Sequence, residues 1–248
     1  MVEPTPEDKV KILAISASTV PDGHVEQMLS VFCTQAFSLG ADVEIVRLAE
    51  MPPPAISGKL EGWEPDPLWE KKIGDADAIV IATPTHWFAP PAILKAWIDN
   101  LTPLIMKGGN LLVGKLAGVV IYAPEGGGAV QAGWFALVLN NIGFTIPADG
   151  IIWQEGPYRK ANNTWVYKAL PALAGNIIAL VTALRNVPAD ASVFLTERIK
   201  RYRARGGKKT NGLSALMEVT EELPLVVDGE ESQAPPRDEE PKAKDPVS

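Results

Sequence analysis

Three short segments of this 248-residue chain gather hydroxyls, rings and glycines in patterns that suit a small ligand. The first, SASTVPDGHV over residues 16–25, follows a β-branched run and precedes a helical pattern. Ser16, Ser18 and Thr19 offer hydroxyls, and Gly23 lets the backbone turn tightly. Free N–H groups and the positive dipole end of a helix favour an anion, so such a loop can hold a phosphate without a lysine. Ordinary capping of the helix by Ser18 or Thr19 explains the same hydroxyls equally well. Neither a Gly-Lys-Ser/Thr nor a G-x-G-x-x-G pattern is present here, which argues against nucleoside triphosphates. The second segment, TPTHWFAPP, sets His86, Trp87 and Phe88 directly after an apolar strand. Large rings at the mouth of a sheet are wasted on water, and a flat aromatic ligand would give them a surface to cover while backbone N–H groups meet its polar edge. Packing of both rings into a subunit interface is the alternative. The third, YAPEGGG, allows close backbone approach and successive N–H groups in an anion-stabilising concavity, although three glycines also make a plain turn.

Alternating strands and helices must position these loops. VKILAIS (10–16), DAIVIATP (77–84) and KLAGVVIYA (115–123) are short, largely apolar runs rich in β-branched residues, of the kind buried on both faces of a parallel sheet. ADVEIVRL supplies a further strand with Val43, Ile45 and Leu48 leaning to one side, and FTIPADGIIWQ a fifth, broken by Pro147 and Gly150. Between them lie helical patterns. From Val25, apolar residues recur at Met28, Leu29, Phe32, Ala36 and Phe37, and Gly40 sits where a left-handed cap ends the helix. A short helix over 66–75 and a stripe of Ile93, Leu94, Trp97, Ile98 and Leu101 follow; one helix runs to about Asn140 and another from about Lys168 to Arg185. The reading is α/β: one doubly wound domain over 8–188, with ligands expected outside the carboxyl ends of the strands where strand order reverses. Residues 189–228 read as a helical extension, including a basic run from Arg198 to Arg205, and 229–248 as a charged, proline-rich disordered tail.

Composition narrows the function. A net charge of -7 argues against a nucleic-acid partner. The lone Cys33, at an apolar helical position, reads as a core residue in a reducing compartment. No secretory leader and no uninterrupted membrane-length apolar run are visible, so a cytoplasmic location without membrane contact is expected. Two histidines cannot build a multi-histidine metal site, and no serine lies in a G-x-S-x-G elbow. The Pro-rich connection over 51–67, with Trp63 and Trp69, is expected to shape the open side of the pocket.

In order, ISASTVPDGHV, ADAIVIATPTHWFAPPAILKAWIDN and the GGG turn resemble the NADPH-dependent FMN reductase family of flavodoxin-like proteins, related to quinone reductases and iron-sulfur flavoproteins, over about residues 10–185. The resemblance implies a flavodoxin-like five-stranded parallel sheet with helices on both faces, FMN held non-covalently, and NAD(P)H as co-substrate. Electrons would pass to a small-molecule acceptor such as a quinone or free flavin. It further implies that Ser16, Ser18, Thr19, Gly23, His24 and Val25 surround the phosphate. Pro84, Thr85, His86, Trp87 and Phe88 would border the isoalloxazine, and Pro124, Glu125, Gly126, Gly127 and Gly128 would close its pyrimidine side. Uncharged residues and Val25 stand where the family has a basic residue and a helix-start hydroxyl, and His86 where it commonly has a tyrosine. Because the flavin does the redox chemistry, no side chain is nominated as catalytic. Relatives of this kind also imply a homodimer or homotetramer. A flavodoxin-type electron carrier and a binding protein that kept the fold without flavin are the rival classes.

Overall fold

The computed structural model describes residues 9–55, 64–106, 111–156 and 165–186. The chain divides into units Met1–Leu213 and Ser214–Ser248, and every described residue belongs to the first. The helical extension, the tail, Trp63 and the basic run lie outside the described residues.

Five parallel strands, β1 (Lys11–Ser16), β2 (Asp42–Arg47), β3 (Ala78–Pro84), β4 (Leu116–Ala123) and β5 (Ile151–Glu155), form one sheet in the order β2-β1-β3-β4-β5. The chain leaves β1 for β2 on one side and returns to β3 on the other, so strand order reverses between β1 and β3, the expected place for a ligand. The three apolar runs read from the sequence are the three central strands. Both their faces are covered. Ile12, Val80, Val120 and Ile152 pack under α1 (His24–Ser38) and α6 (Trp165–Asn186). Leu13, Ile81 and Ile121 pack under α2 (Pro67–Asp75), α3 (Ala92–Asp99) and α5 (Gly128–Asn141). The single-turn α4 (Thr102–Met106) completes the set.

Several local expectations change for physical reasons. Gly40 does end α1 in the left-handed region (φ +85), but Phe37 is exposed while Cys33 takes its place in the core. Burial pushes the Cys33 thiol up to about 12, helped by the charge of Glu26, so the group stays a protonated core residue. On β2, an edge strand, Val43 and Val46 bury on opposite faces, Ile45 points to solvent, and Leu48 joins the Val46 side. Only Ile151–Glu155 of the fifth segment is strand, because Pro147 and a turn closed by Gly150 N–H to Pro147 O cut off all but an isolated Thr145–Leu116 bridge. Trp69 is buried edge-on against Trp97 at 5.6 Å and does not line a pocket mouth.

One helix, α6, is long and apolar enough to cross a membrane by length and composition, although Lys168, Pro171 and Gly175 interrupt its apolar run as the sequence indicated. Its Leu170, Leu173, Ala174, Ile177 and Val181 face are core residues of the sheet layer, which accounts for that part of its hydrophobicity. At the sheet's N-terminal edge, Arg185 Nη2 reaches Asp77 Oδ2 at 2.5 Å, tying the end of α6 to the start of β3. Lys115 is fully buried there, and its Nζ donates to the carbonyls of Gly74 (3.1 Å) and Ala76 at the C-terminal end of α2, where a helix dipole favours a cation.

Candidate functional site

All three chemistry-bearing segments emerge from the carboxyl ends of neighbouring strands: the first from β1, the second from β3, the third from β4. Parallel pairing in register makes this automatic once the strands are placed, since Ser16 lies beside Ala82 and Pro84 beside Tyr122.

In the first loop the hydroxyls look inward. Ser16 is buried; its Oγ donates to Glu26 Oε1 at 2.5 Å and accepts the Ser18 N–H at 3.3 Å. Ser18 Oγ closes a local turn with Val20, accepting its N–H at 3.1 Å and donating to its carbonyl at 3.2 Å. Neither serine caps α1, and Thr19 is exposed. The N-cap is Gly23, which has no side chain to offer, and the N–H groups of Val25 and Glu26 have no partner among the described residues. Two unspent donors at the positive end of a fifteen-residue helix form an anion-binding start. His24 lies edge-on to Tyr122 at the end of β4, 4.9 Å between ring centroids.

The second loop is a two-residue hairpin. His86 and Ala89 exchange both backbone hydrogen bonds, at 2.9 and 3.1 Å, around Trp87 (φ 51) and Phe88 (φ 64). Two consecutive left-handed aromatic residues cost of order 1–3 kcal/mol each and persist where the surroundings over-determine them. The rings gain little burial in return: Trp87 is 95% and Phe88 58% exposed. The hairpin is anchored from below. Thr85 N–H donates to Tyr122 O at 2.9 Å, Thr85 Oγ1 donates to Gln131 Oε1, and Gln131 Nε2 donates to Pro84 O at 3.4 Å. Replacing Trp87 by Gly is expected to raise the melting temperature of the apo protein by a few degrees, because about 1 kcal/mol of strain is relieved and almost no buried area is lost. A fall in melting temperature would show that the indole is held by contacts its exposure conceals.

The third loop presses against the second. Gly126 and Gly127 both have positive φ (95 and 86). A Cβ on Gly127 would lie 2.4 Å from Phe88 Cδ1 and 3.2 Å from Phe88 Cα, so backbone here packs directly on the aromatic hairpin. Gly128 begins α5 against Trp153 and Glu155, and Ala129 N–H donates to Glu155 Oε1 at 3.3 Å. Gly126 N–H is spent on Ala123 O, leaving Gly127 and Gly128 as the turn's unpaired donors among the described residues. Pro124 and Glu125 are exposed at the rim.

The sequence reading thus located the loops but not the residues that brace them. Gln131, Glu26 and Glu155, which hydrogen-bond to these loops, are braces it missed. Gln131 carried a faint signal, being the only long polar side chain within the apolar first half of α5. Asp99 pairs with Lys95 at 2.6 Å along α3, away from this chemistry.

A profile described as NADPH-dependent FMN reductase matches residues 10–156. A protein of Cupriavidus metallidurans named NAD(P)H dehydrogenase (quinone) is 28% identical over 149 residues, 58% of this chain and 72% of the relative. The FMN-dependent NADH:quinone oxidoreductase 2 of Jannaschia sp. is 37% identical over 91 residues, 31% of this chain and 45% of the relative, so the match spans under half of that protein. Among solved structures, RosB with bound 8-demethyl-8-formylriboflavin-5'-phosphate gives a TM-score of 0.62 at 15% identity, covering 95% of this chain and 100% of that one, a likeness of fold.

Proposed function

We infer that this chain, which belongs to the NADPH-dependent FMN reductase family, is an FMN-dependent NAD(P)H oxidoreductase that delivers electrons to a small acceptor of the quinone type. The observation that carries the reading is the strained Trp87–Phe88 hairpin packed on Gly127 at the switch end of the sheet. Strain of this kind is kept where it organises a site.

The residues fit FMN. Val25 and Glu26 N–H groups, with His24 preceding them and the exposed Thr19 in the same loop, suit a phosphate. Pro84 to Phe88 offer flat apolar surface for the ring, and the Gly127 and Gly128 N–H groups suit its electron-rich pyrimidine edge. Bound FMN supplies the two-electron chemistry between nicotinamide and acceptor. The chain's own work is to hold and orient. Gln131 fixes Pro84 and Thr85 relative to α5, and Phe88 against Gly127 sets how far the second and third loops stand apart. The lone buried Cys33 suits a reducing, cytoplasmic setting.

The site is completed by a second copy of the chain docked along α5. That helix, GAVQAGWFALVLNN, has no charged residue, and Val130, Gly133 and Leu137, the last 72% exposed, form an apolar stripe one turn beyond the Gly127–Phe88 contact. Copies that each carry -7 approach with least repulsion along an uncharged face, and alternating small and large residues let such a face pack on itself. Light scattering should give the mass of a dimer, and Leu137→Glu that of a monomer; a monomeric native protein would refute the docking. NADPH consumption that requires both FMN and an added quinone tests the activity. Consumption unchanged when FMN is omitted from flavin-free protein would refute it.

A further inference from the structure

The first loop holds an anion of its own. Glu26, in the first turn of α1, directs Oε1 onto the buried Ser16 hydroxyl at 2.5 Å and Oε2 toward Arg47 Nε at 3.4 Å. Its side chain is almost enclosed, whereas Arg47 is half exposed and is shared with Glu50 at 3.9 Å. Between Lys11 and Arg47 the sequence contains no lysine or arginine. A phosphate dianion at the helix start therefore meets a carboxylate that has taken the loop's inward hydroxyl and pairs with the nearest guanidinium.

We propose that Glu26 sets how strongly this chain distinguishes flavin with a 5′-phosphate from flavin without one, with Arg47 as the counter-charge that both anions share. The proposal rests on the FMN reading above and deepens it. When a phosphate occupies the α1 N-terminus, Ser16 exchanges its bond to Glu26 for one to the phosphate, and Glu26 retreats onto Arg47 at the edge of β2. The native loop consequently accepts FMN with less advantage over riboflavin than a helix start without the Glu26 charge would give, because like charges oppose each other. Removing the charge while keeping the shape restores the advantage. Removing Arg47 leaves Glu26 uncompensated beside the phosphate and lowers it further.

Dissociation constants of FMN and of riboflavin, measured by quenching of flavin fluorescence on the native chain, Glu26→Gln and Arg47→Gln, test this. Glu26→Gln should tighten FMN about tenfold or more at low salt, with the gain shrinking as ionic strength rises, and should leave riboflavin within about twofold. Arg47→Gln should weaken FMN and again spare riboflavin. Riboflavin binding reports on the same preparation that the fold and ring slot are intact. An FMN-to-riboflavin ratio that does not rise in Glu26→Gln overturns the role of Glu26 while leaving the cofactor reading standing. Failure of the native chain and both variants to bind either flavin overturns the cofactor reading and this proposal with it.

Discussion

Gly127→Ala is expected to weaken FMN binding by at least about a hundredfold and to lower stability by about 2–4 kcal/mol. Two costs add. The residue sits at φ +86, where an L side chain is strained, and the new methyl would overlap Phe88 Cδ1 at 2.4 Å and crowd Phe88 Cα at 3.2 Å. The ring could swing aside, but the backbone atom cannot, so the hairpin must move and the spacing between second and third loops is lost. Gly126→Ala is the matched control: its φ is +95, yet nothing lies within 4 Å of the added carbon. It should show the backbone cost with little change in flavin affinity. Equal affinity losses in the two variants, by fluorescence titration and denaturant unfolding, would mean that the Phe88 contact does not shape the slot.

Lys115→Met should destabilise the fold by about 2–4 kcal/mol in urea unfolding without altering the flavin affinity of the folded protein. Methionine keeps the apolar stem but leaves the Gly74 and Ala76 carbonyls without their charged donor at the end of α2. The lysine lies just before β4, at the opposite end of the sheet from the loops, so its loss is felt by the core and not by the site. A change under about 0.5 kcal/mol would show that water replaces the ammonium at no cost.

The two variants mark what a sequence can and cannot reveal. The central strands were readable because burial on both faces demands unbroken apolar runs, and Ile79, Val80 and Ile81 satisfy opposite faces in turn. The loops were readable because glycines and aromatic residues stand directly after those runs. The braces were not. Thr85 and Gln131 are 46 residues apart, Lys115 and Ala76 are 39, and no local period relates them. Glu26 gave no signal because its partner Arg47 arrives only when β2 pairs with β1. Phe37 and Ile45 misled for a related reason: each fits the apolar rhythm of its element, but α1 and the edge strand β2 present those positions to solvent. Trp69 misled in the other direction: it was expected at the open side of the pocket, while the short helix that the sequence did indicate, capped by Asp66, folds the ring onto Trp97. The left-handed backbone at Trp87 and Phe88 had no sequence signal at all, because bulky rings are the residues least expected in such a turn.

The most direct test of the flavin site is the visible absorption spectrum of the full chain loaded with FMN and freed of excess, recorded without oxygen before and after NADPH. The expected result is about one flavin per chain, with its absorption bleached on mixing and restored when a quinone is added. A protein that emerges colourless from FMN loading, or whose bound flavin keeps its full absorption in the presence of NADPH, would contradict it.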